Sequence, residues 1–437
     1  MRCLSVLRHP VVRLFVLTAV AVFLSTAATA GVVGNGTPSS CTEAALTAMF
    51  AAGGTITFNC GAGPQTIPIT FTMFIGSTNP KLTIDGGDTI TLDGTGITSG
   101  MLAIFGSATA LPDVTFKHIT FANGNINTGL VAGGAIQNFG KLTLDTVTFT
   151  RNQALGSGGA IFQEPCTGCL DPLLTITHSL FQNNSGGSGA AISMEGGLAS
   201  VADSTFSGNT ASVSGAIEIF SNSTFRVTMS IDRSTFTGNA GTSGGGAIGV
   251  ENLNSGSSVT ITNDTFTGNT SGAGGQGSAL NLSAAPVTIT NCTIAGNTAA
   301  ASGGAVAFGG RTPVTVVTNT IIANNSGGNC SFSGIPFTGG HNLQFGDSTC
   351  TGMTVANPLL GPLANNGGPT QTMAIGAGSP AIDGGDTINA PATDQRGVSR
   401  TDGNGDGIIA VDIGAFEAPA FGGSASPAPR RHHAVRP

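Results

Sequence analysis

The sequence predicts an all-β solenoid in which short parallel strands stack coil upon coil, and three observations carry that expectation. One phrase keeps returning: "TFSGNTASVSGAI" from Thr205, "TFTGNAGTSGGGAI" from Thr235 and "TFTGNTSGAGGQGSAL" from Thr265. Between the returns, segments such as "KLTLDTVTF", "SVTITNDTF" and "PVTITNCTI" alternate apolar and polar residues with a period of two, the pattern of half-buried strands. The composition agrees: 437 residues with 68 Gly, 40% apolar, 8% charged and neither Trp nor Tyr is too apolar for disorder and too rich in Gly for ordinary helices.

Each element follows in chain order. "MRCLSVLRHPVVR", then the apolar run Leu14 to Leu24, then "ATA" at Ala28 to Ala30 read as a signal peptide over residues 1–30, with the mature chain starting near Gly31. The apolar run is too short to span a bilayer, so no membrane span is expected once the leader is removed. In "CTEAALTAMFAAGG", Thr42 caps a helix near 42–52 whose Ala45, Leu46, Met49 and Phe50 share one face, and Gly53 and Gly54 end it. That helix would cover the first coil of an otherwise open stack.

The repeats fill the β-helix assigned to residues 31–329. Their markers are Phe121, Phe149, Phe181, Phe206, Phe236, Phe266, Ile294 and Ile322, spaced 25 to 32 residues apart. No single repeat can bury its apolar face alone, so neighbours must stack and the markers form an inward column. Three residues after the markers stand Asn152, Asn184, Asn209, Asn239, Asn269, Asn297 and Asn325, with Gly124 in the first repeat. Stacked at a tight corner, these Asn can bond main-chain groups that the corner leaves unpaired, which makes the column structural. A second unit, "GGAI" at Gly133, Gly158 and Gly245 with variants at Gly189, Ser214, Gly277 and Gly303, supplies bends where a side chain would clash. Residues 330–417 read as an irregular closing segment and 418–437 as a disordered tail.

Export would place the cysteines in an oxidising compartment. Cys41 with Cys60 and Cys330 with Cys350 suit loop-closing disulfides, each contributing about 3 kcal/mol in a chain-entropy model. Cys166 and Cys169 form a lone CxxC between Pro165 and Pro172, read as a local disulfide rather than a zinc or redox site. Cys292 is left over.

The FxxN and GGAI units resemble the repeats of polymorphic outer membrane proteins. "CTEAALTAMFAAGGTITFNC" with "KLTIDGGDTITLDG" is similar to the start of secreted bacterial β-helix proteins of the pectate-lyase-like superfamily. "NPLLGPLANNGGPTQTMAIGAGSPAIDGG", "DQRG" and "DIGAFE" resemble the choice-of-anchor Q domain that closes such proteins. The resemblance implies a right-handed parallel β-helix, secreted or at the cell surface, associated with adhesion. It does not decide an activity, because that superfamily mixes enzymes with non-enzymes.

Two places could carry chemistry. Three residues before the markers stand His118, Thr146, His178, Asp203, Arg233, Asn263, Asn291 and Asn319, so His178, Asp203 and Arg233 would lie in line about 5 Å apart, within reach of acid-base work. The simpler reading is a polar corner with a surface ion pair. In "DGNGDGIIAVD", Asp402, Asn404 and Asp406 with Gly407 follow the first half of a calcium loop, with Asp412 as a further ligand. A structural calcium and a solvated acidic turn both remain open there, and no other cofactor is expected. Arg396 and Glu417 are expected to pair across this segment.

A formal net charge of -7 argues against nucleic acid as a partner. Few basic residues and no Trp or Tyr make a polysaccharide-cleaving groove hard to assemble. The expected function is therefore a non-enzymatic surface or extracellular protein that binds glycan or a cell-surface ligand. The rivals are a polysaccharide lyase or glycoside hydrolase and a structural spacer.

Overall fold

The computed structural model describes residues 31–422 except 80, 128–132, 222–224, 284–285, 301–302, 310–314, 335 and 421. The leader, residues 1–30, and most of the tail, 418–437, lie outside the described residues.

One coil serves for all. Lys141–Asp145 forms the first wall, Thr148–Thr150 the second, Gln153–Ala154 a short third and Ile161–Gln163 the fourth. Every wall pairs in parallel with its equivalents one coil away, and the fourth is a ten-stranded sheet. Register follows the repeat: Leu142 lies on Leu174, Phe149 on Phe181 and Ile161 on Ile192. The alternation read from the sequence is the alternation of the walls, so Leu142 and Leu144 are fully buried while Lys141, Thr143 and Asp145 face outward.

The inward column is continuous. Rings of Phe121, Phe149, Phe181, Phe206, Phe236 and Phe266 stack with centroids 4.7 to 5.0 Å apart and planes within 8°. Ile294 and Ile322 continue the column in register.

Two corners bracket the second wall. At the first, His118, Thr146, His178, Asp203, Arg233, Asn263, Asn291 and Asn319 all adopt φ between 48° and 59°. That left-handed backbone costs an L-residue roughly 1–2 kcal/mol and is cheapest for Asn and Asp, which hold four of the eight positions. At the second corner Gly208, Gly238, Gly268 and Gly296 take the same conformation just before the Asn column.

The Asn side chains close that corner. Asn209 Oδ1 accepts from Asn184 N at 3.1 Å and Asn184 Nδ2 at 2.9 Å, and Asn209 Nδ2 donates to Phe181 O at 2.9 Å and Asn239 Oδ1 at 2.9 Å. The same set recurs from Asn152 to Asn325, and each Asn from Asn152 to Asn297 is almost wholly buried.

A second polar ladder lies inside the first corner and was not foreseen. Ser179, Ser204 and Ser234 each accept from a main-chain N–H of the preceding coil, at 3.1, 3.1 and 3.2 Å, and return a bond to a carbonyl of their own coil. Asp264 continues it with bonds from Ser234 N and Thr262 N, and Thr320 and Asn342 follow. Cys292 occupies one rung of this ladder, buried and free, with Sγ 3.4 Å from Thr290 O. Burial pushes both the Asp264 carboxyl and the Cys292 thiol well above their usual ranges.

The ends are closed differently. The helix Glu43–Met49 is capped by Thr42, whose Oγ1 accepts from Ala45 N at 3.1 Å, and buries Leu46 and Phe50 against the first coil. Glu43 is also buried and takes Thr70 N at 3.1 Å and Thr70 Oγ1 at 2.8 Å. Disulfides join Cys41 to Cys60, Cys166 to Cys169 and Cys330 to Cys350.

Past residue 329 parallel stacking continues through Cys330–Phe332, Leu343–Phe345 and Thr354–Val355. From about residue 365 the chain does something the sequence did not foretell: it runs back along the side of the solenoid as a strap. Thr370 Oγ1 donates to Arg233 O at 2.9 Å, Thr235 Oγ1 to Gln371 O at 2.6 Å, Asn291 Nδ2 to Asp412 O at 2.9 Å and Asn319 Nδ2 to Asp386 O at 2.9 Å. Ile375, Ala381, Ile413 and Phe416 pack beneath it on Ile321 and Leu343.

Candidate functional site

The strap divides one surface in two. The first residue of each second-wall strand faces outward, and these residues form a row in register: Thr120, Thr148, Leu180, Thr205, Thr235, Thr265, Thr293 and Ile321. From Thr235 onward the row is covered and almost wholly buried. From Thr120 to Thr205 it is half-exposed and bare. In the first-corner column beside it, burial begins one coil later, at Asn263, and Arg233 is still half-exposed.

In the covered half, side chains of the row and column read the strap through its backbone and amides. Asn263 Nδ2 donates to Thr393 O at 3.2 Å, and Thr293 Oγ1 accepts from Ala415 N at 3.0 Å. Gln395 is the central clip: its Oε1 accepts from Thr265 Oγ1 at 2.6 Å, while Nε2 lies 2.9 Å from Thr235 Oγ1 and 3.1 Å from Ser234 O. Arg396 pairs with Asp394 at 2.7 Å and lies 3.7 Å over the Phe416 ring. The expected pairing of Arg396 with Glu417 is changed: Arg396 reaches the Glu417 carbonyl, whereas the carboxylate pairs with Arg400 at 2.8 Å. Replacing Gln395 by Leu should leave the buried Thr265 Oγ1 without its partner, at a cost of about 1–3 kcal/mol, and should loosen the strap. Limited proteolysis should then cut within 365–418 before it cuts the solenoid.

In the bare half, Asp88, His118, Thr146, Thr148, His178 and Leu180 are among the residues lining a shallow depression of about 180 Å³. His118 Nδ1 is 3.2 Å from Asp85 Oδ1, and His178 Nδ1 is 3.4 Å from Asp145 Oδ1. The first wall alongside carries charges of alternating sign: Asp113 meets Lys81 at 3.4 Å and Lys141 at 3.0 Å, and Lys117 meets Asp145 at 3.8 Å. These exposed pairs contribute little to stability, but they fix a patterned surface.

The structure places His178, Asp203 and Arg233 in successive coils of the column, but their side chains are already engaged. His178 leans back to Asp145. Asp203 gives both oxygens to Arg233, at 2.8 Å to Nε and 2.9 Å to Nη2, and Arg233 also contacts Asp232. The Asp203 hydrogen bond holds the guanidinium firmly charged, against the burial that opposes it. Burial raises Asp232, with Arg233 opposing that shift. A closed Asp–Arg–Asp cluster of this kind orders the corner; it does not leave a base free beside an acid.

Asp402, Asn404 and Asp406 share one exposed turn whose oxygens bond its own backbone. Asp402 takes Gly405 N at 2.6 Å and Gly407 N at 2.8 Å, Asn404 takes Asp406 N at 2.9 Å, and Asp406 takes Ile408 N at 2.8 Å. Asp412 is buried in the strap and bonds Asp383 N and Ala418 N. Burial, reinforced by Glu417, pushes its carboxyl up to about 7.

Sequence reasoning placed the corner column but missed the bare row. Its signal is the Thr that precedes nearly every Phe marker, a residue type that strands favour in any case. With that geometry in place, the comparison with known families concerns the same coil. Residues 146–164 match the Chlamydia polymorphic membrane protein repeat. The stretch runs from the corner residue Thr146 through Phe149, Asn152 and the GGAI bend at Gly158, so the match covers a corner, an inward marker, a ladder rung and a bend. No curated protein and no solved structure matches the chain. The stacked sheets make this a β-helix, and the repeat match within one coil shows its likeness to polymorphic membrane proteins there. Among the described residues no helix is long and apolar enough to cross a membrane.

Proposed function

We propose that the chain is an exported adhesin-like protein, secreted or held at the cell surface, which binds an extracellular glycan or other cell-surface ligand along the bare half of its side groove and does not turn it over. The observation that carries this reading is the division of a single row. Thr235, Thr265 and Thr293 are covered by a segment that they bond, whereas Thr120, Thr148 and Thr205 present the same hydroxyls in the same register to the outside. A row that holds one polar chain in one half is built to hold another in the other half.

In this reading the leader exports the chain, and residues 330–417, choice-of-anchor Q-like in their motifs, finish the stack and clamp its side. The match to a repeat of surface proteins supports the location. The engaged side chains of Asp203 and Arg233 favour binding over the rival lyase or hydrolase.

The test is saturable binding of the purified chain from Gly31 to cells or an immobilised glycan panel, with Thr148→Lys as the variant. Thr148 is half-exposed and its side chain faces outward, so the fold should survive. Binding should fall at least tenfold while the melting temperature changes little. Equal binding by the folded variant would remove the groove from the account.

A further inference from the structure

The fourth wall carries an acidic face. Four of the chain's six glutamates, Glu164, Glu195, Glu218 and Glu251, lie on its outer side in four consecutive coils. Glu164 and Glu195 are half-buried, and both are raised by burial, Glu195 also by its neighbour Glu164.

Glu218 stands apart. It is only 4% exposed, and its Oε2 is buried without a hydrogen-bond partner of acceptable geometry among the described residues. Its register partner one coil on is Gly249. A Cβ built on Gly249 would fall 2.1 Å from Ser214 Oγ and 2.3 Å from Glu218 Oε2, so two oxygens converge on a place that any side chain at 249 would fill. Glu251, two residues further along that strand, brings a second carboxylate to the same outer face, and Asn281 Nδ2 holds its Oε1 at 3.2 Å.

We propose that Glu218, Glu251 and Ser214 form the protein side of a site for a hard divalent cation of the calcium class, opened by the missing side chain at Gly249. Hard cations take carboxylate and hydroxyl oxygens and complete their shell with water. Among the described residues no three acidic, His or Cys side chains gather into a metal cage, so this site has two carboxylates, with the hydroxyl and water supplying the rest. A proton alone accounts for less. It neutralises Glu218 alone, whereas a cation meets the charges of Glu218 and Glu251 together.

Without a cation, burial, with a smaller push from Glu251, raises the Glu218 carboxyl to about 8, although the Ser214 hydroxyl alongside lowers it. For an acid raised in this way the stabilising contribution is full below the unfolded value near 4.5 and is lost as pH rises through about 8. Calcium competes with that proton, so its effect should grow over the same interval.

The experiment is thermal unfolding and titration calorimetry of the oxidised chain from Gly31 with calcium chloride or chelator, at pH 6 and pH 8.5. Calcium should raise the melting temperature of the parent, more at pH 8.5 than at pH 6. Glu218→Gln, which keeps the shape of the protonated acid, and Glu251→Gln should each weaken calcium binding at least tenfold. Asp402→Asn, in the exposed turn of the strap, should bind as the parent does. A calcium response that Glu218→Gln leaves intact, or a folded parent without any response at either pH, would overturn the proposal. Loss with Asp402→Asn in place of Glu218→Gln would do the same, by moving the ion to the strap.

Discussion

Replacing Asn209 by Ala is expected to destabilise the solenoid by about 3–5 kcal/mol, more than almost any other single change in the corners. The substitution removes four hydrogen bonds at once. One released group has no substitute: Asn184 N–H loses its acceptor in an interior that water does not reach, which costs about 1–3 kcal/mol. Phe181 C=O loses its side-chain donor but keeps its place in the parallel ladder with the next coil, where Gln182 pairs with Ser207. Asn184 Nδ2 keeps Phe149 O, and Asn239 Oδ1 keeps Asn209 N, so the damage stays within one coil. Asn325, half-buried at the end of the ladder, should be cheaper to lose. Urea unfolding of the two variants beside the parent checks both the size and the order. Equal and small losses would mean that the ladder is decoration.

Replacing Phe206 by Ala should cost about 3–5 kcal/mol for a different reason. Its ring lies between Phe181 at 4.8 Å and Phe236 at 4.7 Å and is fully buried. Truncation opens a cavity whose walls are held apart by hydrogen-bonded strands on either side, so collapse cannot fill it. Phe206→Ile should cost less than half as much, because Ile294 and Ile322 already fill equivalent places in the same column. Thermal or urea unfolding reads the difference. Since coils interact mainly with their neighbours, a destabilised centre should also broaden the transition.

Why the fold was legible and the strap was not follows from where the information lies. A solenoid repeats its constraints. Phe206 must match Phe181 and Phe236, Asn209 must match Asn184 and Asn239, and the left-handed corner recurs from His118 to Asn319. Every such constraint leaves a periodic trace. The helix at Thr42 was legible because capping is local chemistry.

The strap obeys neither rule. Gln395 meets Thr235 and Thr265 across 130 or more residues, and nothing in "DQRG" says which coil its side chain will clip. The candidate site inherits the difficulty. The corner column was visible as a spacing, but which part is bare depends on how far the strap reaches. Arg396 and Glu417 show the same limit on a smaller scale, since Arg400 takes the carboxylate and leaves Arg396 the carbonyl. Glu218 needed more still, because its partner is the absence of a side chain at Gly249 one coil on.

The most direct test of the central claim, binding without turnover, is to incubate the folded chain from Gly31 with neutral and acidic polysaccharides, with calcium and with chelator, and to score bound ligand, new reducing ends and unsaturated products on the same samples. Retained ligand with no new ends, weakened by Thr148→Lys and indifferent to Asp203→Asn, is the expected result. Product that disappears with Asp203→Asn or Arg233→Ala while the fold survives would contradict it and make the corner column an active site.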